Sequence, residues 1–193
     1  RTMQAELRAR RTGVTGRLRL GVIPTAMPRI AGLTAPFLIR YPGAEVAILS
    51  RSSDEIRDQI AALELDAGVT YLDGTAPGRV QTVPLFTENL CLVDRSAETG
   101  PASWAEAATR PLCLLTPDMQ NRRIIDRALT SVGAEATPTL TSNSLLVLYT
   151  HVKTGRWASV MPAKLAETLG LADAVRSIPI VDPVVDYSIG LVI

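Results

Sequence analysis

Residues 17–50 read RLRLGVIPTAMPRIAGLTAPFLIRYPGAEVAILS, and the fold turns on how this stretch is parsed. Leu18 and Leu20 alternate with charged neighbours, which marks a strand with one buried face. From Met27 to Tyr41 the apolar residues Ile30, Leu33, Phe37 and Tyr41 recur at helical spacing, until Pro42 and Gly43 stop the pattern. Pro36 inside that helix is expected to kink or break it, because an interior proline costs about 3 kcal/mol. AEVAILS (44–50) is then a second strand. A strand, a helix and a strand in succession are the unit of a parallel-rich α/β sheet.

The same alternation continues downstream. Ser52 and Glu55 match the S-x-x-E capping box at a helix start, and Ile56, Ile60 and Leu63 form the expected buried stripe. DAGVTYL (66–72) reads as a third strand, and VQTVPLF and ENLCLV as two further segments near an edge or crossover. From residue 95 the pattern restarts with a second capping box, Ser103 and Glu106. PLCLL is a strand, and Ile124, Ile125, Ala128, Leu129 and Val132 stripe a helix closed by Gly133. A strand over 136–140 leads to a helix opened by Ser142 or Asn143, striped by Leu145, Leu148, Tyr149 and Val152, and closed by Gly155. WASVMP, a short helix over 163–169, RSIPIV and YSIGLVI complete the chain. Upstream, the first 12 residues read as helix, ending at Thr12 and Gly13. YSIGLVI stops in mid-strand, so the domain is expected to run past residue 193.

Composition narrows the function classes. With 193 residues, 47% hydrophobic and 20% charged, the chain can bury a sizeable core as one large domain or two small ones. Every apolar run is interrupted well short of the roughly 20 residues that a membrane-spanning helix needs, so no membrane contact is expected. The Arg-rich start RTMQAELRARR has no hydrophobic middle and does not read as a secretory signal, which favours a cytoplasmic home. The net charge of +1 is unevenly spread: residues 1–20 hold six arginines against Glu6, while the other 173 hold 14 basic and 18 acidic groups. Binding to nucleic acid rests on neutralising phosphates, so this mildly acidic body is a poor DNA surface, and another segment must make that contact. Cys91 and Cys113 sit inside apolar runs where cysteine behaves as a small buried hydrophobe; the alternative is a reactive redox thiol.

In an open α/β sheet, ligands bind beyond the carboxyl ends of the strands, where helix amino termini offer unpaired N–H groups. That rule selects Ile23-Pro24-Thr25-Ala26, Arg51-Ser52-Ser53, Thr70-Tyr71 and the span Thr116 to Arg122. Their hydroxyl, amide and guanidinium groups suit a small carboxylate or other anion. Signals for catalysis are missing: there is no G-x-S-x-G, no G-x-x-x-x-G-K-[ST] and no G-x-G-x-x-G. His151 is the sole histidine and lies in a striped helix, so a structural or surface role is favoured over chemistry. Two cysteines 22 positions apart make no C-x-x-C zinc signature, so neither metal nor cofactor is expected. An acid/base pair assembled in space from the 19 acidic residues stays open.

In order, GRLRLGVI, MPRIAGLTAPFLIRYPGAEVAI, DEIRDQIAALELDAGV, VPLFTENLCLV and VKTGRWASVMP resemble the effector-binding domain of LysR-type transcription regulators. That family has Tyr-Pro before its second strand, Leu-Asp-x-Gly or Leu-Asp-x-Ala before its third, a Pro-Leu-x-x-Glu crossover and a late Val-x-x-Gly-x-x-x-x-x-x-Pro. The resemblance spans roughly residues 16–193. It implies a periplasmic-binding-protein-like (type 2) fold of two lobes joined by two crossover strands near Cys91–Asp94 and Tyr187–Leu191. The lobes would be 16–92 with 188–193, and 93–187, after a linker-helix end over 1–15. A winged helix-turn-helix headpiece, absent from this chain, would carry DNA binding, and the regulator would be a homodimer or homotetramer. Effector contacts fall, by the same analogy, on Thr25, Ala26, Ser52, Thr70, Gln120 and Asn121. Arg156-Trp157 replaces the small Gly-x-Gly turn common in the family, which alters that pocket edge.

Each site residue also has a plainer reading. Ser52 serves as a helix cap in its own right, and Thr25 and Thr70 suit loop and strand ends. Arg122 and Arg123 read better as solvated helix surface than as anion clamps. The leading expectation is a non-catalytic sensor in which a small anionic effector biases how the headpieces meet DNA. A solute-binding receptor outside the cytoplasm is the first rival, and a small lyase or transferase on this scaffold the second.

Overall fold

β1 (Thr15–Val22) lies between two parallel neighbours, β2 (Gly43–Ser50) and β3 (Ala67–Tyr71), with Leu20 opposite Ile48 on one side and Ala67 on the other. The computed structural model describes residues 13–72, 81–95, 100–168 and 175–193. The helix expected over the first 12 residues lies outside them. The chain gathers into two compact units, one of residues up to Leu85 with Gly190–Ile193, the other of Phe86–Ile189.

In the first unit the strand order is β2-β1-β3-β10, where β10 is Asp186–Val192 and enters this unit at Gly190. The single helix expected over 27–41 is a 3-10 turn, Met27–Arg29, followed by α1 (Ala31–Arg40). Pro36 lies inside α1 without breaking it. The carbonyl it leaves without an amide partner belongs to Gly32, which is exposed and can be hydrated. α2 (Ser53–Ala61) buries Ile56 completely against the sheet. Its expected third stripe residue, Leu63, falls beyond the helix end at φ 58° and is 79% exposed. The left-handed turn there swings Leu65 inward instead, at 2% exposure. Glycines make this close approach feasible: a Cβ on Gly68 would sit 2.3 Å from the Ile56 side chain, and one on Gly21 2.5 Å from Leu65.

The segments VQTVPLF and ENLCLV are one strand, β4 (Thr82–Asp94), whose first residues belong to the first unit and the rest to the second. Pro84 and the polar run Thr87-Glu88-Asn89 interrupt its apolar pattern, which is why it reads as two pieces. In the second unit β4 pairs antiparallel with β8 (Ser159–Pro162) and with β9 (Arg176–Val181), and β9 pairs parallel with β5 (Ala102–Ser103). α3 (Trp104–Ala108) starts on the expected Ser103–Glu106 box. β6 (Cys113–Leu115) pairs parallel with β7 (Leu140–Ser142). β7 thus starts at the end of the expected 136–140 strand, since Pro138 just before it has no N–H for a ladder.

α4 (Gln120–Ser131) buries Ile124, Ile125, Ala128 and Leu129, whereas Val132 lies past its end and is 38% exposed. α5 (Leu145–Lys153) buries Leu145, Leu148, Tyr149 and Val152, the expected stripe. Its cap position is Ser144, one to two residues later than expected, and the Ser142 hydroxyl accepts the Ser144 amide (3.1 Å) to turn the chain into it. α6 (Ala163–Thr168) follows β8. Cys91, Cys113, Leu148, Val152 and Met161 centre this unit's core, and Trp157 packs against it. The Trp157 indole donates to the Thr139 hydroxyl (3.0 Å) and lies edge-on to His151, so the bulky replacement at this turn is anchored.

Candidate functional site

Because β1, β2 and β3 are parallel and in register, their carboxyl ends share one edge of the first unit. Val22 pairs with Ser50 and with Val69, and the bonds Arg51 N to Val22 O (3.1 Å) and Ile23 N to Val69 O (3.1 Å) carry the alignment into the loops. The β1 loop then tightens, with the amides of Ala26 and Met27 both donating to the Ile23 carbonyl. This places Thr25, Ala26, Ser52 and Thr70 at one sheet edge, all at least nine-tenths buried.

Two hydroxyl pairs tie the loops together. Thr25 Oγ1 and Tyr71 Oη are 3.0 Å apart, and Thr70 Oγ1 donates to Ser53 Oγ over 3.0 Å. Each pair of hydroxyls shares one proton, which leaves oxygen lone pairs and at least one O–H for a further partner. Ser52 closes a complete capping box: its hydroxyl accepts the Glu55 amide (3.2 Å) and Glu55 Oε2 accepts the Ser52 amide (2.7 Å). Its helix-capping role is thereby fixed, while its own O–H proton remains to be donated. Ser53 and Tyr71 lay in the loops picked out from the sequence but not among the selected residues. Their role follows from cross-loop bonds, which no local pattern encodes.

In the second unit the β6–α4 turn carries the remaining candidates. The Thr116 amide donates to the Ser142 carbonyl (3.2 Å) and the Met119 amide to the Thr116 carbonyl (3.0 Å), so the chain turns directly into α4 at Gln120. Asn121 is 3% exposed and Gln120 half-buried. Buried Asn121 Nδ2 and Thr116 Oγ1 have no hydrogen-bond partner among the described residues. Arg122 departs from both of its sequence readings. It is neither solvated nor a loose clamp: its side chain is 11% exposed, with Nε on Asp126 (2.8 Å) and Nη1 on the Leu115 carbonyl (3.2 Å). Arg123 reaches back to the Asp118 carbonyl (2.7 Å). An open groove of about 520 Å³ runs along the other half of α4, past Asp126, Thr130 and Glu135, and is lined by none of the six selected residues.

The cysteines are inert by environment. Cys91 and Cys113 are 2% and 0% exposed, and burial pushes their thiols up to about 12 and about 11. Among the described residues no group of three or more His, Cys, Asp or Glu side chains is placed to hold a metal ion. No described helix is long and apolar enough to cross a membrane.

Comparison with known proteins adds family and fold. A family model described as LysR substrate binding domain matches residues 11–193. The reduced OxyR regulatory domain of Pseudomonas aeruginosa is 20% identical with a TM-score of 0.79, over 92% of this chain and 88% of that one. The CcmR regulatory domain of Synechocystis PCC6803, solved in complex with 2-PG, is 18% identical with a TM-score of 0.79, over 93% and 88%. A full-length OxyR variant from Pseudomonas aeruginosa is 20% identical with a TM-score of 0.77, over 98% of this chain and 68% of that one. At these identities the likeness to the solved structures is one of fold.

Proposed function

The chain belongs to the LysR substrate-binding domain family, with its two-lobed type 2 periplasmic-binding-protein-like fold, and we propose that it senses a small anionic effector without transforming it. As a domain of that family it is the ligand-sensing part of a transcription regulator. The observation that carries the effector reading is the edge of buried, only partly satisfied donors at the strand ends: Thr25, Ser52 and Thr70 in one unit, and Asn121 with Gln120 in the other. Ala26 adds a close-packed wall at 1% exposure. The 2-PG complex of the CcmR domain supports a small molecule as the effector class.

The lobes are taken as 16–92 with 188–193, and 93–187. The regulator works in the cytoplasm and meets DNA through a headpiece outside this chain. It assembles as a homodimer or homotetramer, a reading supported by an apolar surface in the first unit. α1 has no buried residue, and Ile39 is 81%, Leu38 38% and, on β2, Ile48 39% exposed. A thiol switch of the kind invited by the reduced-form OxyR relatives draws no support, because both cysteines are buried and held in the neutral form.

The test is a thermal-shift screen of metabolites. An effector at about 100 times its dissociation constant adds about 2.7 kcal/mol of stability. A carboxylate or similar anion raises Tm saturably, and Thr25→Val, which removes one strand-end hydroxyl at constant shape, reduces the shift. A screen with no saturable shift, or a full shift in Thr25→Val for every hit, would contradict the assignment.

A further inference from the structure

We infer that the amino end of α4 is a carboxylate subsite built wholly from neutral donors, with Asn121 Nδ2 and Thr116 Oγ1 as its side-chain contacts. The inference deepens the proposed effector reading and rests on it for physiological meaning. Three observations meet at this point. α4 is 12 residues long, and its cap residue, Met119, makes no side-chain cap hydrogen bond, nor is there an acid in the first turn. The first amide to find an intrahelical acceptor is that of Arg123, on the Met119 carbonyl (3.2 Å), so the helix itself leaves the amides of Gln120, Asn121 and Arg122 unpaired. Independently, the 97% buried Asn121 carries a buried Nδ2 without a partner among the described residues, one residue inside that terminus. Thr116 Oγ1, at the end of β6, is a second buried atom in the same condition. A buried donor without an acceptor is costly to keep, and two beside an open helix terminus mark a place for an acceptor supplied from outside.

The donor set fixes the ligand class. A helix terminus is worth about half a positive charge, which balances a monoanion. The neighbouring cations are occupied: Arg122 is held by Asp126 and the Leu115 carbonyl, and Arg123 donates to the Asp118 carbonyl. Asp118, in the same turn, is exposed. A phosphate monoester brings either a second negative charge or an O–H in need of an acceptor, and this donor set answers neither. A carboxylate brings one charge and two oxygens that only accept, and it matches.

The test titrates the 15N-labelled chain with sodium acetate, using sodium chloride at equal ionic strength and the neutral isostere acetamide as controls. Acetate should move the Asn121 side-chain amide and the backbone amides of 120–122 saturably, while chloride and acetamide leave them in place. Asn121→Asp supplies the missing carboxylate from within: it should raise Tm in acetate-free buffer and abolish the acetate response. Thr116→Val keeps the shape, covers the case in which Asn121→Asp fails to fold, and should weaken acetate binding about tenfold. Asn121 signals that stay still or respond equally to acetamide, or variants that bind acetate like the parent, overturn the inference. A metabolite that raises Tm while acetate leaves Asn121 unmoved sinks the subsite and spares the sensing role. Acetate bound at Asn121 with no metabolite response supports the subsite and counts against the sensing role.

Discussion

Cys91 and Cys113 illustrate how environment, and not residue type, decides chemistry. Burial dominates both thiols and holds them neutral far above physiological pH, so thiolate is scarce in the folded protein. Native protein at neutral pH should therefore label slowly with iodoacetamide at both positions, and rapidly only after unfolding; fast labelling of either thiol in the folded state would revive a redox role. Asp66 shows the opposite balance. The Arg19 guanidinium and the Arg19 amide hold its carboxylate below the usual range, at 2.7 Å from both Nη2 and N. A depressed folded-state value means that this contribution is present above the ordinary carboxylate range and is lost as pH falls below it. Asp66→Asn should thus flatten the acid limb of the stability–pH curve, while an unchanged limb would show that the pair contributes nothing. At this scale the sequence was informative wherever a residue's role is local. Ser52 was legible as a cap, but the Thr25–Tyr71 bond joins residues 46 apart and the unsatisfied state of Asn121 depends on the whole turn.

Helices with two-sided local signals were read well and strands with mixed patterns less so. Both capping boxes form, because their partners are three residues apart and need no tertiary contact. The α5 stripe is buried residue for residue. β4 was split because a long strand crossing from exposed to buried surroundings shows two different patterns along its length. Leu63 was misplaced because a left-handed residue ends the helical period, and nothing apolar about leucine announces it. The capping boxes also separate structure from function at Ser52. Ser52→Ala and Ser103→Ala should each cost about 1 kcal/mol in denaturant unfolding, as lost caps do. Only Ser52→Ala should also reduce an effector's thermal shift; equal shifts in both variants would leave Ser52 a cap alone. Gly68→Ala drives a methyl to 2.3 Å from Ile56 and should destabilise the first unit by about 1–3 kcal/mol, and a neutral result would mean that α2 shifts freely on its sheet.

For the whole molecule, the order of elements was legible because strand–helix alternation is a pattern of kilodalton length, robust to errors at any one boundary. The surface was less so. The stripe Ile30, Leu33, Phe37 and Tyr41 read as a core face, yet none of these residues is buried in the single chain. If a second copy covers this face, Ile39→Asp should shift the protein toward monomer in light scattering, and an unchanged mass would place the oligomer contact elsewhere. The sensing role itself is most directly tested by a crystal structure of the chain with the metabolite that raises Tm most. The account predicts density for a carboxylate-bearing molecule within hydrogen-bond reach of Asn121 and of Thr25 or Thr70. A bound molecule that touches none of these residues would contradict it.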